Sequence, residues 1–326
     1  MRSPVALLVA AALLVGGIAT ASADPVPPLD ADPEVVPYIV GGTIVAPGTW
    51  PAMAALVQEP SPGTLQQFCG GTLIRDDLVL SAAHCTADPT FRANPRVLLG
   101  RTDLSQAGGE LIDVVEIIEH PDWIGVANGF AGDLAVLRLA TESVQAPTAL
   151  LRPGREPSWA TGTVPGTIVG WGQLEGGASD PNLREVSVTV RTDVDCEASI
   201  PTYQTGLDLC AGGADFGACF GDSGGPLYSF DASGRSVIAG VVSRGLQTCA
   251  QAPGILTRVA AFAEWVVTAS LSDATARIAG ADRYATAANL ADRYAPGVPS
   301  VHLVSGEAFP DAVTAAAAAG RAGGPV

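Results

Sequence analysis

Apolar positions along this chain fall into three regimes, and each predicts a different kind of structure. From Val5 to about Ile18 they form one continuous run, preceded by Arg2 and followed by the small residues Ala21-Ser22-Ala23. The run is short for a membrane span and ends at an A-x-A pattern, so residues 1–23 are expected to be a removable export signal. From Ile39 to about Val259 the apolar residues come in short runs divided by Gly, Pro and Asn turns. Examples are Leu78-Val79-Leu80, Leu134 to Leu139, Thr167 to Val169 and Val237 to Val242. Many short strands at this spacing predict a β-barrel or sandwich. Val259, Phe262, Trp265 and Val266 then recur near i, i+3, i+7, which predicts a closing helix.

Between the signal and the first strand, residues 24–38 are rich in Pro and acid and nearly devoid of large apolar side chains. Such a stretch cannot bury enough surface to fold alone, so it is read as a pro-segment. Past Ser272 the pattern changes again. Ala-rich helical stretches at 281–295 and 308–320 flank the strand-like Val301-His302-Leu303-Val304, an α/β pattern unlike anything upstream. The expected organisation is therefore a signal (1–23), a pro-segment (24–38), a β domain (39–271), and a linker with a small α/β module (272–326).

Charge removes some function classes. The formal net charge is -16, and all 17 basic residues are Arg. An acidic chain without basic clusters is a poor match to nucleic acid or an anionic membrane, and once the signal is removed no membrane span is expected. Export also changes how the 6 cysteines read. In an oxidising compartment an even number suggests disulfides, and none of them lies in a C-x-x-C pair that would suggest a zinc ribbon. Three bridges are expected, with fifteen connectivities open on sequence alone.

Candidate chemistry starts from histidine, because the chain has only 3: His84, His120 and His302. Nucleophilic hydrolysis at neutral pH needs a group that titrates near 7 beside the nucleophile. His84 lies at a strand end in Ser81-Ala82-Ala83-His84-Cys85, where a disulfide can clamp its neighbour. Ser223 lies in Gly221-Asp222-Ser223-Gly224-Gly225-Pro226. Glycines around a serine permit backbone conformations and close approach that a Cβ would block. The N–H groups of Gly221 and Ser223 could then converge on one point as an oxyanion hole. The same residues also fit G-x-S-x-G, the nucleophile elbow of α/β-hydrolases, but Gly-Gly-Pro directly after the serine is a poor helix start for that fold.

Taken together, Ile39-Val40-Gly41-Gly42, Ser81 to Cys85, Asp133-Leu134-Ala135-Val136-Leu137, Gly170-Trp171-Gly172 and Gly221 to Pro226 resemble the trypsin/chymotrypsin family of serine proteases over about 39–270. The resemblance implies a mainly β fold: two antiparallel six-stranded barrels with a C-terminal helix and an active site in the cleft between them. It implies Ser223 as nucleophile, His84 as its base and Asp133 as the acid that orients the imidazole. It implies bridges Cys69–Cys85, Cys196–Cys210 and Cys219–Cys249. It also implies activation by a cut between Tyr38 and Ile39, whose freed amine would pair with Asp222.

Family register puts Gly217 and Ala218 at the base of the substrate pocket, with Ser243, Arg244, Gly245 and Gly254 along its wall. A Gly where trypsin-like enzymes carry Asp implies preference for large apolar or aromatic residues before the scissile bond; Asp215 lies nearby in sequence. Arg244 replaces a common aromatic, which implies a taste for acidic side chains in neighbouring subsites. The segment Gly100 to Glu110 is shorter than the family's calcium loop, so no metal or cofactor is expected. The expected partners are protein or peptide substrates of a secreted, extracellular enzyme.

Downstream, Arg277 to Ala287 and Ser305 to Ala312 resemble one partial type 2 cell-wall-binding repeat over about 277–326. The resemblance implies association with bacterial cell-wall polymers. Four Arg (277, 283, 293, 321) face four acids (Asp282, Asp292, Glu307, Asp311), so net charge supplies no attraction of its own. A catalytically silent protease-like binder would show a lost triad member, and none is lost. An adhesin would depend on residues 272–326 alone.

Overall fold

The computed structural model describes residues 39–271 apart from 62, 126–128, 158–161, 163, 175–176, 214–215, 247–248 and 250. The export signal, the pro-segment with Tyr38, Asp215 and the 272–326 module lie outside the described residues.

The first barrel closes in the order β2 (Met53–Ser61), β3 (Thr64–Arg75), β4 (Leu78–Ser81), β7 (Ala135–Leu139), β6 (Glu110–Glu119) and β5 (Arg96–Leu99), which returns to β2. Every neighbouring pair is antiparallel. The uninterrupted apolar runs noted above explain its centre. Each residue of β4 and β7 is buried, as expected for strands covered on both faces.

The second barrel is formed by β8 (Val164–Gly170), β9 (Arg184–Val190), β10 (Asp208–Ala211), β13 (Gly254–Arg258), β12 (Ser236–Arg244) and β11 (Pro226–Phe230). It closes through β11 onto β8, and the short β1 (Thr43–Ile44) is added to β9. In β9 Val186, Val188 and Val190 face the core while Ser187 and Thr189 face solvent, the period-two pattern of a half-covered strand. The expected pair of six-stranded antiparallel barrels is thus present.

The closing helix (Val259–Ser270) starts directly after β13. Its buried face carries Val259, Phe262, Val266 and Ala269, and Trp265 packs partly buried against the same core. That core runs through the first barrel to Trp171 and Tyr228 of the second half, so the two barrels share apolar packing. His120 stacks edge-on against Phe262 and Trp265, with ring centroids 4.9 and 4.8 Å away. Burial lowers the pKa of His120 and favours its neutral form, which suits a packed structural imidazole.

The three disulfides are Cys69–Cys85, Cys196–Cys210 and Cys219–Cys249, the pairing implied by the resemblance. Among the described residues no helix is long and apolar enough to cross a membrane.

Candidate active site

The end of β4 and the start of β7 bring His84 and Asp133 together. Ser81, the last residue of β4, is opposite Ala135, the first of β7, and this register sets the two following segments side by side. Asp133 is fully buried, and its carboxylate receives three hydrogen bonds. Oδ1 accepts from His84 N at 2.9 Å; Oδ2 meets His84 Nδ1 at 2.8 Å and accepts from Ser243 Oγ at 2.6 Å. A carboxylate so placed holds one orientation of the imidazole and leaves Nε2 on the far side. Ser243 was expected on the pocket wall, but its hydroxyl is given to Asp133. The reason is burial: Ser243 is 4% exposed, its hydroxyl needs a partner, and the carboxylate supplies one.

Ser223 reaches the same place from the second barrel. Gly70 of β3 donates its N–H to Ser223 O at 2.7 Å, and Gly224 N donates to Val242 O at 2.8 Å. Gly224 has φ +78, and a Cβ there would land on Ser81 Oγ and Gly70 O. Only glycine lets the loop press against the strand end that leads into His84. Ser223 Oγ makes no hydrogen bond to a described residue, and Cys85 Sγ lies 3.6 Å from His84 Nε2. The structure therefore assembles the His84–Asp133–Ser243 half of the site and leaves the Ser223–His84 contact open. Hydrogen bonds of this kind are commonly loose before substrate binds. Cys69 and Cys85 sulfurs cluster with His84, but both are oxidised in their bridge and offer no thiolate to a metal.

The amides around Ser223 divide into two sets. Those of Asp222, Gly224 and Gly225 donate to backbone carbonyls. Those of Gly221 and Ser223 donate to no protein group among the described residues. Unpaired N–H groups in a half-buried loop are costly unless something accepts from them. These two are the pair expected from the sequence.

Asp222 points the other way, into the second barrel. Its Oδ1 accepts from Gly172 N at 2.7 Å and its Oδ2 from Cys219 N at 2.8 Å. A Cβ on Gly170 or Gly172 would collide with this carboxylate, which explains the glycines of Gly170-Trp171-Gly172. No side-chain cation faces Asp222 among the described residues. Burial pushes its pKa up to about 6, against the lowering effect of the two N–H bonds. Ile39 is fully buried in the apolar cluster of the second barrel, and Val40 O accepts from Gly217 N at 3.1 Å. Ile39 has φ +31, a region that β-branched residues avoid.

Gly217, Ala218, Gly245 and Gly254, which family register places around the substrate pocket, bear no charge. A Cβ at Gly254 would meet nothing within 4 Å, and one at Gly245 would come only to 4.0 Å from Gly254 Cα. Arg244 departs from expectation. Its Nη2 donates to Asp208 Oδ2 at 2.5 Å and to Thr202 O at 2.7 Å, and its guanidinium carbon lies 5.5 Å from the centre of the Phe130 ring. The side chain is 9% exposed, and Nη2 pairs with Asp208 inside the protein, while Nε and Nη1 are buried without a partner among the described residues.

Two neighbours of the site were not singled out from the sequence. Phe130 sets its ring edge against His84 at 6.0 Å, and Gln67 Nε2 donates to Gly221 O at 2.8 Å. Phe130 precedes Asp133 by three positions and could have been found by asking what flanks the acid. Gln67 is 154 positions from its partner and carries no local signal.

Comparison with known proteins agrees with this geometry. Residues 39–266 match the family model described as Trypsin, and residues 277–326 match cell wall binding domain 2. A trypsin of Saccharopolyspora erythraea is 35% identical over 229 residues, covering 69% of this chain and 94% of that protein. Chymotrypsin-like elastase family member 1 of Bos taurus is 34% identical over 257 residues, covering 74% and 92%. Granzyme C of Mus musculus is 33% identical over 237 residues, covering 70% and 89%.

Proposed function

The chain belongs to the trypsin family of serine endopeptidases, and from that premise we propose that it cleaves peptide bonds with Ser223, His84 and Asp133. Ser223 Oγ attacks the scissile carbonyl while its proton passes to His84 Nε2. Asp133 holds the Nδ1–H and stabilises the imidazolium that forms. The N–H groups of Gly221 and Ser223 donate to the oxyanion as the tetrahedral intermediate develops. Collapse transfers the proton from His84 to the leaving amine and leaves an acyl group on Ser223. Water then attacks that ester, with His84 again as base, and frees the acid product.

The observation that carries this reading is the Asp133 carboxylate, buried and bonded at once to His84 N, His84 Nδ1 and Ser243 Oγ. A carboxylate buried to orient one imidazole is a costly arrangement with little purpose outside proton transfer.

The precursor is cut between Tyr38 and Ile39. The new amine carries a positive charge to Asp222, whose burial without a cation is unfavourable before the cut. Release of the peptide bond also relieves the positive φ of Ile39. The open, uncharged slot beside Gly254 favours a large apolar or aromatic residue before the scissile bond. Since Tyr38 is itself such a residue, the enzyme activates its own precursor. The protein is exported, and its 277–326 segment associates it with cell-wall polymer.

The test is hydrolysis of a peptide panel by protein that begins at Ile39, beside Ser223→Ala. Cleavage after Phe, Tyr or Leu that falls at least ~1,000-fold in the variant is expected. Equal cleavage by both proteins would reject the mechanism; strong preference for Arg or Lys would reject the pocket assignment.

A further inference from the structure

The carbonyls of residues 220 to 223 each accept one hydrogen bond. Phe220 O accepts from Gln173 N at 2.7 Å, Asp222 O from Gly225 N at 2.9 Å and Ser223 O from Gly70 N at 2.7 Å. All of these donors are backbone groups, present whatever the side chain. Gly221 O differs, because its donor is the Gln67 side chain at 2.8 Å. Within the Gly221–Asp222 peptide, the N–H end is held by Cys219 O at 3.0 Å, and the C=O end is held by Gln67.

That peptide needs holding. Gly221 has φ +98, in territory where glycine moves at little cost, so sterics alone do not fix it. The Gly221 N–H lies in the preceding peptide, whose Phe220 O is held by Gln173 N. Rotation about Gly221 would therefore turn the Gly221–Asp222 peptide, and the Ser223 N–H that follows it, relative to the Gly221 N–H. An anion site made of two amides depends on their convergence, and small misdirection is expensive.

The first barrel is shaped to supply this contact. In the β2–β3 ladder Leu56 pairs with Cys69 but Val57 pairs with Gln67, so Phe68 is an extra residue in a bulge. Bulges re-aim the side chains beside them. Here Gln67 reaches Gly221 O, while Gly70, three positions later on the same strand, grips Ser223 O. One strand of the first barrel thus holds both residues whose amides are unpaired.

We propose that Gln67 is a positioning residue for oxyanion binding: through the Gly221 carbonyl it fixes the Gly221–Asp222 peptide, and with it the angle between the Gly221 and Ser223 N–H groups. The inference rests on the protease reading above and deepens it. It assigns a catalytic consequence to a side chain that touches neither substrate nor His84.

The experiment uses Gln67→Met, which keeps chain length and loses the donor, and Gln67→Glu, which turns an acceptor toward Gly221 O. Both are made in protein that begins at Ile39. With a peptide ester or amide, kcat should fall roughly ten-fold in Gln67→Met and further in Gln67→Glu, with KM changed by less than about two-fold. A peptide aldehyde becomes tetrahedral on Ser223 and presents an oxyanion; the matching peptide alcohol does not. Aldehyde affinity should weaken by the same factor as kcat while alcohol affinity holds. Restoration of kcat by Gln67→His, a different N–H donor, would support the role again. Unchanged kcat in both variants, or equal weakening of aldehyde and alcohol, would overturn it. If the parent protein fails to hydrolyse peptides in a Ser223-dependent way, the protease reading has failed and this inference falls with it.

Discussion

Two fully buried carboxylates lie on opposite sides of the Ser223 loop, and the protein treats them differently. Asp133 sits where the first barrel supplies a group that can become a cation, His84, together with a hydroxyl from the second barrel, Ser243. Among the described residues only two backbone N–H groups meet Asp222, and burial drives its pKa up to about 6. The first arrangement is complete in the folded chain. The second has no side-chain cation beside it among the described residues. A buried anion with its partner present serves turnover, whereas one lacking its partner can serve as a switch, because delivery of the missing cation changes its free energy.

The strongest way to break this comparison is Asp133→Asn in protein already cut before Ile39. The amide would preserve shape but favour the wrong imidazole tautomer and remove the counter-charge. A fall in kcat/KM on the order of 10,000-fold is expected at neutral pH. A fall of less than about ten-fold would show that the His84–Asp133 contact is structural and that the two carboxylates do not differ in kind.

Next in size is the pH dependence of the uncut protein. The folded pKa of Asp222 lies above its usual value of 3.8, so folding favours the protonated form. Its contribution is fully present below about pH 4 and is lost as pH rises through about 6. In a Ser223→Ala background, which prevents self-cleavage, the uncut protein should therefore lose stability between pH 4 and pH 7 relative to Asp222→Asn. The relative loss is on the order of 3 kcal/mol. Subtraction of the Asp222→Asn curve cancels His120, which acts with the opposite sign because burial lowers its pKa. Cutting before Ile39 should abolish the difference, since the new amine favours the ionised carboxylate. Persistence of the difference after the cut would show that the amine does not reach Asp222.

Much of this was legible in the sequence because the relevant signals are local. Short apolar runs marked strands that became β4, β7, β8 and β12, and the i, i+3, i+7 spacing from Val259 marked the closing helix. The glycines around Ser223 and around Trp171 were visible as motifs, although only the structure explains the second set, by the Asp222 carboxylate that packs against them. What could not be read is contact across long stretches of chain. Ser243 was recognisable as lying on the pocket strand, but its bond to Asp133 spans 110 positions. Arg244 invited a reading as a receptor for acidic substrates, because nothing nearby in sequence announces Asp208, 36 positions earlier. Gln67 is the extreme case, since its position depends on a bulge that no residue type requires. Local propensity fixes which elements form; the partner of a buried polar group is decided by how the barrels meet.

The smallest expected effect bears on the hydroxyl that completes the first carboxylate. Ser243 Oγ donates to Asp133 Oδ2 at 2.6 Å, on the same oxygen that meets His84 Nδ1. Loss of this bond in Ser243→Ala leaves two of the three donors in place, so the carboxylate stays buried and paired. It gains freedom to rotate and becomes a slightly stronger acceptor from His84. A hydrogen bond to a charged group is worth about 1.5–3 kcal/mol, but the remaining donors can recover part of it. A fall in kcat of roughly ten-fold is expected, with KM nearly unchanged because the hydroxyl faces Asp133 and not the slot. A rise in KM with kcat unchanged would return Ser243 to the pocket wall. Asp133 would then rely on His84 alone, and the contrast with Asp222 would narrow.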